Sequence, residues 1–428
     1  MYSTIMETAP LLQVSEMAEN LIGSEIIKLA GEVKEKINNG EQIYNFTIGD
    51  FDPNIFPIPE GLKAEIVKAY NDNHTNYPAA NGMQELRQSI SRFLHIRGAL
   101  EYNENQILVS GGSRPLIYAT YRTLLDKNDA VIFPTPSWNN NHYCHLTGAK
   151  QIAIETNARN NFMPTAKDIA PHISKANLIA LCSPLNPTGT VFTDQALEEI
   201  CDLVLEENRK RGEYKKPVYL LYDQVYWQLT YGNTVHHDPV TLRPEMKNYT
   251  IFIDGISKAF SSTGVRVGWA FGPQKVMDKM KSILSHVGAW SPKAEQVACA
   301  NFLNQDAQID AYMNEFRGKI EDRLLAFYDG FKQLKSEGYP VDAIEPQAAM
   351  YLTVKIDLQG TAKGDEKLSN TAEVTQFLLE DAKIALVPFY AFGASKRSPW
   401  YRLSVGTASM EDVAGFFQNL RGSLSKLS

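Results

Sequence analysis

Residues 177–190 read NLIALCSPLNPTGT, an apolar run that stops abruptly in a turn with a proline on each side of Leu185-Asn186. A run apolar at consecutive positions, rather than at alternate ones, suits a strand buried on both faces. A helical pattern follows from Thr193 towards Lys210, and the same pairing recurs on either side. Upstream, QILVS (106–110) precedes a helix expected from about Pro115 to Leu125, and AVIFP (130–134) is followed by a polar segment and QIAIE (151–155). Downstream come PVYLLYD (217–223), TIFIDGIS (250–257) and VGWAFG (267–272). Buried strands alternating with helices predict an α/β fold, a mostly parallel central sheet covered by helices on both faces.

After about Phe302 the pattern changes. A long amphipathic stretch, AYMNEFRGKIEDRLLAFYDGFKQLKSEG (311–338), leads to AMYLTVKID (349–357), a helix near Val374 to Asp381, IALVP (384–388), YRLSV (401–405) and a final helix. This reads as a smaller α+β unit. The segment SEIIKLAGEVKEKINNG (24–40) is another helix, ending at Gly40, that returns to the smaller unit, and the first twenty residues read as an arm. The expected division is therefore 1–47 for the arm and part of the small domain, 48–305 for a large domain, and 306–428 for the small C-terminal domain.

A length of 428 residues fits two or three packed units at roughly 150 residues each. With 44% hydrophobic and 21% charged residues, the chain has the makings of a sizeable core. Its 42 Lys+Arg against 49 Asp+Glu give a net charge of -7, the wrong sign for drawing the chain to nucleic acid or to anionic lipid. The basic run Arg209-Lys210-Arg211 reads as a solvated helix end. Cys144, Cys182, Cys201 and Cys299 form no C-x-x-C pair, which argues against a metal site and a disulfide framework and suits a reducing compartment. The N-terminus lacks the basic and apolar regions of a signal peptide, and the longest apolar runs are too short to span a bilayer. A cytoplasmic protein without membrane contact is expected.

Ligands of open α/β sheets bind beyond the carboxyl ends of the strands. Five features lie there. Ser110-Gly111-Gly112-Ser113-Arg114-Pro115 is neither a dinucleotide fingerprint nor a P-loop, yet two glycines, a hydroxyl and the amides of a following helix can cup an anion. Trp138, in PTPSWNNNHY (134–143), offers a ring on which a planar ligand would stack. The prolines around Leu185-Asn186 aim the Asn186 amide. Asp223 ends an apolar strand, where an acid is costly to bury without a cationic partner. Lys258, at the end of TIFIDGIS, is a candidate for a desolvated, nucleophilic amine.

An anion cup, a stacking ring, an amide, a buried acid and an amine in that order resemble the class I/II aminotransferases, fold-type I enzymes dependent on pyridoxal 5'-phosphate. The resemblance extends through NFTIGDFDP (45–53), NYPAANGMQELR (76–87), SPLNPTGT (183–190), SKAFSSTGVRVGW (257–269) and YRLSVG (401–406). It implies that Lys258 holds the cofactor as a Schiff base and later shuttles a proton. It implies that Asp223 pairs with the pyridine nitrogen, that Asn186 and Tyr226 bond the phenolic oxygen, and that Trp138 stacks on the ring. The phosphate would lie on Gly111, Gly112, Ser113 and Ser257 with Arg266 as counter-charge, and Tyr77 would reach it from the second subunit of a homodimer. Arg402 would grip the substrate α-carboxylate, with the Gly49 backbone nearby.

The implied reaction is a ping-pong transfer of an amino group between an L-amino acid and a 2-oxo acid, with aspartate or an aromatic amino acid as donor. Three positions depart from the family pattern. Gly255 stands where a serine or threonine is usual, so Ser257 or Ser261 would replace its hydroxyl, and restoring it by Gly255→Ser would tighten cofactor retention. Phe389 replaces a common glycine and would add bulk near the substrate entrance. Gln224 replaces a frequent glutamate without evident effect. Trp290 is a candidate for lining an apolar or aromatic side-chain pocket. The same Lys258 and Asp223 would serve a β-C–S lyase or synthase. A non-catalytic regulatory module is disfavoured because no helix-turn-helix pattern precedes the α/β unit and Lys258, Asp223 and Arg402 are all present.

Overall fold

Seven strands build the larger sheet: β1 (Ile107–Ser110), β2 (Ala130–Thr135), β3 (Lys150–Glu155), β4 (Ala176–Cys182), β5 (Tyr219–Asp223), β6 (Thr250–Gly255) and β7 (Gly268–Phe271). The computed structural model describes residues 13–428 except 22 and 24, so most of the expected N-terminal arm lies outside the described residues. The strand order is β1-β7-β6-β5-β4-β2-β3, and β7 alone runs against its neighbours. Strands β1, β2, β6 and β7 are buried at every position, which is why they read as unbroken apolar runs; β3, at the edge, is largely exposed.

Five helices matter for the site: α1 (Glu25–Asn38), α2 (Ser113–Leu124), α3 (Asp194–Arg211), α4 (Ile256–Ala259) and α5 (Asp306–Ser336). Helix α2 begins two residues earlier than the position of Pro115 suggests, because Gly112, at φ 97°, turns the chain directly out of the strand end. Helix α3 is capped by the Thr193 hydroxyl, which accepts from the Ala196 amide at 3.2 Å. At its C-terminal end Arg209 and Lys210 are exposed, as the solvated reading of the basic run has it, and only Arg211 departs from that reading. Arg211 is buried, donating to the Ile173, Ala176 and Lys216 carbonyls at 2.8–2.9 Å and to Glu207 at 2.8 Å, so it ties the helix end to the start of β4.

A second sheet consists of β8 (Val341–Ala343), β9 (Tyr351–Ile356), β10 (Val387–Pro388) and β11 (Trp400–Ser404), in the antiparallel order β10-β11-β9-β8. The two ends of the chain meet there. Tyr44–Asn45 pairs in parallel with Ile384–Ala385, and Val33 of α1 is buried with Leu379 and Ala385. Helix α5 buries Ile309, Met313, Phe316, Ile320, Leu324, Phe327, Phe331 and Leu334, the spacing of one helix face. The carboxyl ends of β4, β5 and β6 and the middle of β11 face one cavity, and this brings residues more than 200 positions apart within hydrogen-bond distance.

Candidate active site

The cavity has a volume of about 550 Å³, and ten of the thirteen residues singled out from the sequence border it: Gly49, Ser113, Trp138, Asn186, Asp223, Tyr226, Ser257, Lys258, Arg266 and Arg402. Lys258 stands in α4, just past β6, and its Nζ donates to the Gly49 carbonyl at 2.6 Å. Burial pushes its amine down to about 8; nearby Asp50 opposes the shift, while Arg402, Arg114 and Arg266 add to it. Asp223 is open to the cavity and enclosed elsewhere. Burial pushes its carboxyl up to about 6, against the Val225 amide, which donates to Oδ1 at 3.2 Å.

Arg402 projects from β11 and is only 2% exposed. Its Nη1 donates to Asn186 Oδ1 at 3.0 Å and its Nη2 to the Thr47 carbonyl at 2.7 Å, while its buried Nε has no partner. The guanidinium lies 4.7 Å from the Tyr351 ring centre and 5.0 Å from that of Phe392. No carboxylate among the described residues pairs with it, and burial lowers its pKa. A cation held this way, by neutral groups alone, is a ready receptor for an anion.

Two residues that border this site were not found from the sequence. The Tyr351 hydroxyl shares a hydrogen bond with that of Tyr226 at 2.7 Å, and Asp50 accepts from the Thr263 hydroxyl at 2.7 Å. Tyr351 reaches the site because β9 pairs with β11 so that Thr353 lies opposite Arg402 and Tyr351 opposite Ser404. That register has no signature in the sequence. Asp50 adjoins Gly49 in NFTIGDFDP, so its place next to a nominated residue was the available signal.

At the anion end the geometry corrects the assigned parts. The Gly111 and Gly112 amides donate to the carbonyls of Ala289 (2.9 Å) and Ser110 (2.7 Å), so neither is free for a ligand, and neither glycine borders the cavity. Free amides begin with the first turn of α2, at Ser113. The glycines serve close approach instead. Arg266 donates to the Gly111 carbonyl at 2.9 Å and to the Thr263 carbonyl at 2.7 Å, and a Cβ on Gly112 would collide with its guanidinium.

Gly255 overturns the expectation attached to it. A Cβ there would lie 2.9 Å from both Gly268 Cα and the Val267 carbonyl oxygen, so the position has no room for a serine. Ser261 does not stand in for the hydroxyl either, since its own donates to the Phe56 carbonyl at 2.6 Å; Ser257 faces the cavity. Phe389 is fully buried, edge-on to Phe162 at 5.1 Å, and does not border the cavity. The apolar side chains that do line the cavity include Ile26, Ile27 and Ala30 of α1 and Ile48. Trp290 is likewise outside this cavity. It packs on Tyr77, ring centres 5.2 Å apart, at a separate surface opening, where Tyr77 is 82% exposed.

The model of the family "Aminotransferase class I and II" matches residues 41–418. The chain is 28% identical to an aspartate aminotransferase of Geobacillus stearothermophilus over 93% of this chain and 95% of that one. It is 26% identical to a probable aspartate/prephenate aminotransferase of Aquifex aeolicus, over 89% and 92%. Among solved structures, the aspartate aminotransferase from Rhizobium meliloti superimposes with a TM-score of 0.88 at 25% identity, covering 97% of this chain and 100% of that one. The alanine aminotransferase from Pyrococcus furiosus shares the fold, with a TM-score of 0.84 at 21% identity over 97% and 100%. No helix among the described residues is long and apolar enough to cross a membrane. A buried amine, a buried acid and an uncompensated arginine around one cavity thus have their explanation in the match across 41–418: the chain belongs to the class I and II aminotransferases, enzymes that use pyridoxal 5'-phosphate to exchange an amino group between an amino acid and a 2-oxo acid.

Proposed function

We propose that Lys258 carries the cofactor and moves the reacting proton, that Asp223, Asn186, Tyr226, Trp138, Ser113, Ser257 and Arg266 hold the cofactor, and that Arg402 holds the substrate. One observation carries this reading: the Lys258 amine is buried with a carbonyl as its hydrogen-bond acceptor, in a cavity it shares with three arginines and the Asp223 carboxyl. The residues fit the cofactor on their own chemistry. Bare backbone at Gly112, the first amides of α2 and the Arg266 cation make a cradle for a phosphate, and Trp138 supplies a flat wall. When bound, pyridoxal phosphate supplies an electron sink for negative charge at the substrate α-carbon.

The chain's own part follows from its charge states. With its pKa near 8, Lys258 has a neutral fraction near neutral pH that its ordinary value of 10.5 would not allow, so Nζ can attack a carbonyl carbon and later accept or return a proton. Asp223, ionised above about pH 6 and enclosed, favours a protonated ring nitrogen facing it. Burial keeps the Tyr226 hydroxyl protonated, so it serves as a donor. Because Asn186 Oδ1 accepts from Arg402, its Nδ2 is the end left to donate. Arg402, fixed at two points, presents its remaining donors to an α-carboxylate.

The exposed Tyr77, beside Trp290 and away from the cavity, suits a residue that completes the site of a second copy in a homodimer. The two sheets suit a large domain at 48–305 and a small one formed by 1–47 and 306–428. Four free thiols suit a cytoplasmic location. Borohydride reduction of the holoenzyme followed by peptide mapping tests the lysine: a pyridoxyl adduct is expected on Lys258, and its absence from a saturated preparation overturns the reading. A donor panel with 2-oxoglutarate tests the reaction. Pyruvate and ammonia released without any acceptor would favour the lyase alternative, which gains nothing from the relatives named above, all aminotransferases.

A further inference from the structure

Asp254 is a buried acid, 1% exposed, that does not border the cavity and has no part in the chemistry described above. It stands one residue before the end of β6. Asp223 lies opposite Ile253, so the side chain of the next residue leaves the sheet on the face away from Asp223. There its Oδ1 accepts from the Gly255 amide at 2.7 Å and its Oδ2 from the Trp227 indole N–H at 2.9 Å. Among the described residues no cation pairs with it. Burial pushes its carboxyl up to about 8, with the Asp223 charge adding to the shift and the Gly255, Trp227 and Gln224 donors opposing it. Gln224 is also 1% exposed, and neither end of its amide completes a hydrogen bond. The other titratable group packed on Trp227 is His236, whose imidazole burial pushes down to about 3, so it supplies no positive charge near neutral pH.

The partners of this acid belong to the two turns that carry the site. Trp227 follows Tyr226 in the turn after β5, which its own amide closes on the Gln224 carbonyl at 2.9 Å. Gly255 leads into α4, which carries Ser257 and Lys258. A carboxyl offers one acceptor oxygen to each of the two N–H groups, and when protonated it also has a donor for the unpartnered Gln224 oxygen. We propose that Asp254 is a positioning residue for the reaction: with Trp227 and Gln224 it ties the turn bearing Asp223 and Tyr226 to the turn bearing Ser257 and Lys258, from behind the cavity. The assignment rests on the reading of Tyr226 and Lys258 given above. An asparagine in its place has a single acceptor oxygen for two buried N–H groups, so one of the two turns loses its tie.

The test compares holoenzyme variants by kcat and KM and by the pH titration of the bound cofactor's absorbance, with chemical denaturation of the cofactor-free protein alongside. Since Tyr226 is assigned to the phenolic oxygen, a loosened turn weakens its hydrogen bond there and moves that titration. Asp254→Asn and Trp227→Phe are each expected to lower kcat roughly tenfold with the donor KM little changed, and to raise the absorbance midpoint by roughly half a pH unit or more. Adding Gln224→Glu to Asp254→Asn exchanges the acid and the amide and returns the missing acceptor oxygen, so part of both losses should be recovered; no recovery removes Gln224 from the assignment. Unchanged kcat and midpoint in folded variants overturn the proposal, even where the denaturation midpoint falls, and make Asp254 a residue of stability alone. If Asp254→Asn does not fold, Trp227→Phe decides, because it keeps the acid and removes only the bond between the turns. Tyr226→Phe is the separate control: it should raise the same midpoint further, and if it does not, the reading of Tyr226 fails independently of Asp254.

Discussion

Lys258 and Asp223 are displaced from their ordinary charge states by the same cause, burial, which lowers the one and raises the other until both titrate near neutrality. Such groups are costly to the empty protein. With a folded pKa of about 6 against 3.8, the Asp223 carboxyl binds a proton more readily in the folded chain. The cost of ionising it is absent below about pH 4 and fully present above about pH 6, where it approaches ~3 kcal/mol. Asp223→Asn should therefore raise the melting temperature of the cofactor-free protein at pH 7 and leave it unchanged near pH 4, while transamination is lost; calorimetry at the two pH values checks this. Gly255→Ser, expected from the resemblance to strengthen cofactor retention, should instead destabilise the protein by about 1–3 kcal/mol, because the new side chain meets the backbone of β7. Chemical denaturation and cofactor loss on dialysis report the two effects. The acid, the amide, the lysine and the stacking ring were legible because each stands at or just past the end of a strand. The misreadings, Gly255, Ser261, Phe389 and the two glycine amides, all concern what a residue touches across the fold, and that is set by tertiary packing.

At the scale of elements, the alternation of buried runs and helical patterns carried the architecture, because consecutive apolar residues in a strand require cover on both faces. Ends were less legible. Helix α2 starts at Ser113 because of a glycine conformation rather than at the proline two residues later, and the terminal Arg211 of α3 looked like any exposed basic residue until its carbonyl partners were in place. That arginine holds the loop before β4, the strand that delivers Asn186. Arg211→Ala should leave the Ile173, Ala176 and Lys216 carbonyls without this donor and cost about 2–4 kcal/mol, seen as a shifted urea midpoint with kcat little altered. The pairing of β9 with β11, which brings Tyr351 to Tyr226 and Arg402, was beyond sequence reading, since short antiparallel strands fix their register through contacts formed only in the folded chain.

At the scale of the whole molecule, the site gathers groups from both ends of the chain and from its middle. The homodimer reading adds Tyr77 from a second copy, and subunit exchange tests it. Lys258→Ala and Tyr77→Ala proteins, each weakly active or inactive alone, should regain activity when mixed and exchanged, because one site of the hybrid then holds an intact lysine and an intact tyrosine. No recovery, with hybrid formation shown by mass, would remove Tyr77 from the site. Gly112, Gly255 and Gly268 form a seam in which main chain rests directly on main chain: Gly255 against Gly268, and Gly268 against Gly112, where a Cβ would come within 2.6 Å. Nothing in that contact can shrink further, so neutral drift has no smaller substitute to pass through. Descendants of this chain can rebuild the walls of the cavity, and with them its substrate range, long before they can alter the seam of bare backbone beneath its anion cradle.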